Sequence, residues 1–172
     1  MKKVIVAVAA AALFIPAAAP AKTAALSLYG TGKISTTTTS TCAGVAQGCL
    51  LVKGSVKGSP LKGSFEGKWT VNWNRATTSN GRKCATGGGE VQISDSAGNS
   101  LTLSETGKLC QATATGRVTF TGSYTVSAGE KKYATQGVGK GKASLVEVAG
   151  RKAILKATGS FNPTATRQEG GG

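Results

Sequence analysis

The stretch that decides the fold is Leu61-Lys-Gly-Ser-Phe65-Glu-Gly-Lys-Trp69-Thr-Val-Asn-Trp73, where apolar residues or glycines alternate with polar residues. Successive side chains of a β-strand point to opposite faces, so this alternation predicts a long strand with one buried and one solvent-facing side. Glycines occupy two of the buried-side positions. They let a strand bend sharply, as the closure of a barrel requires.

The same two-residue period recurs along the chain. It is clear over residues 118–126, 137–145 and 153–161, and shorter candidates lie at 26–29, 50–58, 91–95 and 100–107. Turn residues such as Gly, Pro, Ser and Asn separate most of these segments. We therefore predict an all-β fold of about eight antiparallel strands that closes as an up-and-down β-barrel, with a β-sandwich as the alternative. An aromatic content of 5% does not fit the aromatic girdles of an outer-membrane barrel.

Residues 1–21 have the organisation of a secretory signal peptide, with two lysines, an apolar run and then small residues. The apolar run is shorter than the ~20 residues that a helix needs to span a bilayer. We predict cleavage after Ala21, with Ala25 as the alternative site. A single domain over 22–163 and a disordered tail over 164–172 would follow. The mature protein would be secreted or held in the cell envelope, without a membrane span.

The chain is strongly basic, with a formal net charge of +14 that falls to about +12 when Lys2 and Lys3 are removed with the leader. Such an excess of positive charge favours binding to polyanions. For an exported protein these would be anionic polymers of the envelope rather than nucleic acid. The lysines are dispersed over strand and turn positions, so we expect most of them to form an ordinary solvated surface.

Four cysteines in an exported chain predict two disulfides. A hairpin that turns near Ala97 would place Cys84 directly opposite Cys110. The remaining pair, Cys42 and Cys49, would then close a short loop between the first strands. A zinc site is the alternative, but the chain has neither a histidine nor a CxxC pair.

The absence of histidine removes the common catalytic triads, the usual general base and many metal sites. The seven acidic residues form no obvious pair for glycoside hydrolysis. We predict no enzymatic activity, no metal and no cofactor.

Glu105 follows Leu101 and Leu103 at every second position, so the alternation places its side chain on the same inward face. This would give a carboxylate at the barrel mouth. We expect instead that a bulge or the strand end turns Glu105 outward.

A set of aromatic residues, together with Glu105, is the candidate lining of an interior ligand site. Its members are Phe65, Trp69, Trp73, Phe120, Tyr124 and Tyr133. Small barrels can hold one molecule among such side chains. The simpler alternative, which we favour, is that these side chains fill the core.

The segment Gly122–Gly139, GSYTVSAGEKKYATQGVG, combines an aromatic-x-Val strand end, a glycine turn, a second aromatic residue and a Gly-x-Gly strand. It resembles a pattern in bacterial exported β-barrel proteins akin to the allene oxide cyclase and dirigent barrels. The match covers about 20 residues, and the Gly-Gly-Thr-Gly turn usual in that pattern is replaced by Ala-Gly-Glu-Lys. The resemblance implies an eight-stranded barrel with a central apolar cavity, and it carries over no catalytic residue.

Two hypotheses for function follow from these observations. The leading one is a non-enzymatic exported barrel that binds a small apolar ligand or a surface component. The other is an extracellular structural or interaction protein whose basic outer face binds anionic polymers.

Overall fold

The computed structural model of the chain describes residues 23–36, 48–134 and 139–162. The predicted signal peptide (1–21), Cys42 and the predicted tail (164–172) lie outside these ranges, and the expectations about them stay predictions. No helix within the described ranges is long and apolar enough to cross a membrane.

Nine antiparallel β-strands make up the described fold, and eight of them close into a barrel. The strands are β1 (Ala24–Thr36), β2 (Gly48–Ser59), β3 (Gly63–Val71), β4 (Thr77–Ser79), β5 (Arg82–Ser94), β6 (Ser100–Ala112), β7 (Val118–Glu130), β8 (Gly139–Val148) and β9 (Lys152–Phe161). The barrel follows chain order, with β3 pairing directly to β5 and β9 pairing back to β1. The short strand β4 pairs with the first residues of β5 and lies outside the barrel. The predicted up-and-down barrel of eight antiparallel strands is confirmed.

The β5–β6 hairpin has the predicted register. Cys84 lies opposite Cys110, and the two form a disulfide with their Cα atoms 4.0 Å apart. The run of three glycines in β5 does not shift this register. One of the two predicted disulfides is therefore present. The other, Cys42–Cys49, involves a residue outside the described ranges and stays a prediction.

The strand predicted over residues 61–73 is shorter at both ends. It begins at Gly63 and ends at Val71, and a 3-10 turn over Trp73–Arg75 follows. The side chain of Asn72 starts this turn by accepting a 3.0 Å hydrogen bond from the backbone nitrogen of Asn74. Asn side chains compete in this way with strand pairing, so the alternation alone did not reveal where the strand stops.

The barrel interior is a continuous apolar core. Inward-facing side chains of all eight barrel strands contribute to it, and most are below 5% exposed. The largest of the fully buried side chains are Trp69, Tyr124, Phe120 and Phe161. Glycines alternate with them on the same inward face. At the facing pair Gly32 and Gly54 a Cβ atom on Gly32 would lie 2.7 Å from the carbonyl oxygen of Lys53, so side chains there would force the two strands apart.

Candidate functional site

The aromatic residues predicted to line a ligand site fall into two groups. Phe65, Trp69, Phe120 and Tyr124 are fully buried at inward positions of β3 and β7. Trp73 and Tyr133 lie outside the strands. Trp73 is half-buried in the 3-10 turn after β3. Tyr133 is buried in a second 3-10 turn, where its hydroxyl donates a 2.7 Å hydrogen bond to the carbonyl oxygen of Pro60.

The four inward aromatic rings occupy the space above glycines of neighbouring strands. The ring of Tyr124 covers Gly141 of β8 and reaches Gly159 of β9, which face each other. Trp69 likewise covers its own-strand neighbour Gly67 and the facing Gly89 of β5. The ring centroids of Trp69 and Phe120 are 6.2 Å apart. This interleaving of large rings and glycines fills the described interior, as expected for a core.

Glu105 faces the barrel interior, so the expectation that it turns outward was wrong. Its side chain is 1% exposed and accepts a 2.8 Å hydrogen bond at Oε2 from Nε1 of Trp69. The one register shift in the β6–β7 pairing falls between Thr102 and Leu103, ahead of Glu105, and the strand continues to Ala112. Glu105 therefore lies at neither a bulge nor a strand end, and the regular alternation of β6 keeps its side chain inward.

The environment of Glu105 favours its protonated form. Burial raises the pKa of Glu105 to about 7, and the hydrogen bond from Trp69 opposes that rise. The second oxygen, Oε1, is buried and has no hydrogen-bond partner among the described residues. No group of three or more His, Cys, Asp or Glu side chains that could hold a metal occurs in the described part of the chain.

A groove of about 610 Å³ lies on the barrel exterior, where β2, β1, β9 and the end of β8 meet. The residues around it include Thr31, Lys33, Lys53, Ser55, Lys152 and Ile154. The facing glycines Gly32 and Gly54 also line it. The backbones of β1 and β2 approach so closely at this pair that neither position has room for a Cβ atom.

Three lysines form a row across this groove, which we name the lysine row. Lys33 of β1 lies directly opposite Lys53 of β2 on one side and Lys152 of β9 on the other. All three are exposed. Lys53 forms a 2.9 Å ion pair with Glu66 of β3, and within the described residues neither Lys33 nor Lys152 has an acidic partner. Like charges placed directly opposite each other in a sheet repel, so this arrangement lowers stability unless an anion offsets it.

A second basic row lies on the same outer face, four residues back along β1. Tyr29 is flanked there by Lys57 of β2 and Lys156 of β9. The Tyr29 ring is 44% exposed, and the ammonium group of Lys156 lies 5.9 Å from its centroid. We name the outward surface of β2, β1 and β9 between these two rows, both included, the lysine face. Between the rows lie Ser55, Thr31 and Ile154, also in register.

The lysine face was not predicted from the sequence. The expectation that most lysines form an ordinary dispersed surface overlooked the alignment of five of them across three strands. The alternation in each segment does indicate which lysines point outward. The register between β1 and β9 comes from barrel closure, which joins the two ends of the domain and has no local signal in the sequence.

The chain matches no protein-family model, and no curated protein is significantly similar to it.

Proposed function

We propose that the protein is an exported, non-enzymatic binding protein that holds an anionic polymer on its lysine face. The observation that carries this proposal is the lysine row, in which Lys33 lies between two further lysines in a concave part of the surface. A site that concentrates positive charge in a groove attracts anions more strongly than the same charges spread over a convex surface.

The dimensions of the lysine face favour a polymer over a single small ion. Adjacent strands lie about 4.8 Å apart, and four residues along a strand span about 13 Å. The two basic rows therefore offer positive charge at both ends of a surface that is longer than one anionic group. A chain with repeated negative charges can contact both rows at once, and the second contact then forms at a high effective concentration.

Export is part of this proposal, and two observations support it. The first 21 residues have the organisation of a signal peptide. The Cys84–Cys110 disulfide suits an oxidising compartment, because such bonds are rare in proteins of a reducing cytosol. Anionic envelope polymers are the polyanions that such a protein would meet.

A small apolar ligand inside the barrel is the competing proposal, and it has less support from the described residues. Trp69 and Tyr124 cover glycines and pack in a continuous core. The described grooves lie along the strands and include polar outward residues, such as Lys53 and Glu66 beside Phe65. Among the described core residues, a ligand would have to take the place of packed rings.

The binding of the full mature chain to a soluble anionic polysaccharide tests the proposal. We expect the affinity to fall about tenfold or more between ~50 and ~300 mM salt, because the contacts are between exposed charges. Titration with a panel of lipids should leave the tryptophan fluorescence unchanged. Salt-independent polysaccharide binding, or strong quenching by an apolar ligand, would favour the competing proposal.

A further inference from the structure

We infer that the lysine face recognises an acidic polysaccharide in particular, with Tyr29 as the surface on which one sugar ring stacks. This inference rests on the proposed function and specifies the chemical class of its polymer. It starts from the position of Tyr29, which is a large aromatic side chain exposed in the middle of a basic row.

The exposure of Tyr29 is unusual for this barrel. The four aromatic residues of β3 and β7 are at most 3% exposed, whereas Tyr29 is 44% exposed. Its outward position follows from the alternation of β1, where Leu28 and Gly30 take the inward positions on either side. An exposed ring offers a flat apolar surface, and the carbon-bound hydrogens on one face of a pyranose ring can pack against it.

Lysines on both neighbouring strands place positive charge beside this ring. Lys57 and Lys156 lie directly opposite Tyr29, and the ammonium group of Lys156 lies over the Tyr29 ring, 5.9 Å from its centroid. A carboxylate on a sugar that stacks on the exposed part of the ring can therefore pair with one of these two lysines. Stacking and charge pairing act on the same monomer, which a polymer of simple phosphates could not exploit.

Hydroxyl groups occupy the positions around the two basic rows. Ser55 and Thr31 lie between the rows, and Ser27, Ser59 and Thr158 form the next row beyond Tyr29. Side-chain hydroxyls both donate and accept hydrogen bonds, which matches the hydroxyl groups of a saccharide. The lysine face thus combines charge, one stacking surface and hydroxyl groups.

A single-stranded nucleic acid is the other polyanion that combines charge with flat rings. Proteins that bind it without sequence preference stack successive bases on several aromatic side chains along a groove. The lysine face has one aromatic side chain among its described residues, Tyr29. One ring suits one stacked sugar and gives no path for successive bases.

The test compares oligogalacturonate with inorganic polyphosphate of equal charge number, using calorimetric titration of the full mature chain. We expect Tyr29→Ala to weaken oligogalacturonate binding about tenfold and polyphosphate binding less than twofold, because only the sugar polymer loses a stacking contact. Tyr29→Phe keeps the ring and should bind oligogalacturonate within about twofold of the unmodified protein. Equal losses for both polymers, or no loss for either, would overturn the inference.

Two further arms separate this inference from the proposed function. Lys33→Ala combined with Lys152→Ala should weaken the binding of both polymers, and if it weakens neither, the proposed function itself fails. A single-stranded oligonucleotide should bind more weakly than oligogalacturonate. If the oligonucleotide binds as tightly and loses the same factor in Tyr29→Ala, the stacked group is a base and the inference is wrong.

Discussion

Nε1 of Trp69 donates a 2.8 Å hydrogen bond to Oε2 of Glu105 across the intervening strand β5. The bond is possible because the β5 residue that faces both of them is Gly89, which leaves room for the indole ring. It satisfies one oxygen of a buried carboxyl group whose other oxygen, Oε1, has no hydrogen-bond partner among the described residues. Among the described residues Glu105 is the one acidic side chain in the core, and the indole nitrogen of Trp69 stabilises it.

Glu105 makes the stability of the protein depend on pH near neutrality. Its pKa is raised to about 7 in the folded protein from 4.5, so the folded state binds more protons than the unfolded state between these values. The contribution of Glu105 is most favourable below pH 4.5 and is lost as the pH rises through 7. We expect the free energy of unfolding to fall by roughly 3 kcal/mol over this range, measured by urea denaturation.

The variant Glu105→Gln provides the control for this pH dependence. Its amide oxygen can still accept the hydrogen bond from Trp69, but it does not titrate. The chain contains no histidine, so no other side chain ordinarily titrates between pH 5 and 8. We expect the variant to have a nearly flat profile over this range and to be more stable than the unmodified protein at pH 8. A slope that persists in the variant would contradict the assignment to Glu105.

The neighbouring glycines Gly88 and Gly89 test the packing of Trp69. A Cβ atom on Gly89 would lie 2.7 Å from Cγ of Trp69 and 2.8 Å from the carbonyl oxygen of Lys68. A Cβ atom on Gly88 would meet the backbone oxygen of Glu105 at 3.1 Å, and nothing closer. We expect Gly89→Ala to lower the free energy of unfolding by about 1–3 kcal/mol or more, and Gly88→Ala to lower it by less. Equal effects would mean that the ring does not pack over Gly89.

The Cys84–Cys110 disulfide joins two residues that are 26 positions apart in the sequence. A cross-link over a loop of this length restricts the unfolded chain and contributes about 3–4 kcal/mol. We expect Cys84→Ala combined with Cys110→Ala to lose about this amount, measured by chemical denaturation without reductant. A double variant as stable as the unmodified protein would show that the bond adds nothing to the β5–β6 pairing.

The lysine row should lower stability in the absence of a ligand. Replacing the central residue, Lys33→Ala, removes repulsion from both neighbouring strands and should raise the free energy of unfolding by roughly 0.2–1 kcal/mol at low salt. The gain should shrink towards zero at about 1 M salt, where the screening length is ~3 Å. Lys108→Ala is the matched control, because Lys108 lies between Thr86 and Thr121 and relieves no such repulsion.

The architecture could be predicted from the sequence because its signal is local. Alternation in each segment gives the strands and their inward faces, and the short turn near Ala97 fixes the register that joins Cys84 to Cys110. Chain order then gives an up-and-down barrel. The end of β3 was missed because the turn that follows it begins with a hydrogen bond from the backbone nitrogen of Asn74 to the Asn72 side chain, which alternation does not reveal.

The candidate sites were harder to predict because they depend on long-range register. The alternation places Glu105 on the inward face, but whether the core tolerates its carboxyl group depends on Trp69, which is 36 residues away in sequence. Lys33 and Lys152 meet through the closure of the barrel by β1 and β9. No period or spacing in a single sequence encodes either contact.

Binding of an anionic polymer by the lysine row is tested most directly by comparing two double variants of equal net charge. Lys33→Ala with Lys152→Ala removes two members of the row, whereas Lys62→Ala with Lys108→Ala removes two exposed lysines elsewhere. In calorimetric titration with oligogalacturonate at fixed salt, we expect the first to lose about tenfold or more in affinity and the second less than about twofold. Equal losses in the two double variants would contradict the claim, because the binding would then follow net charge alone.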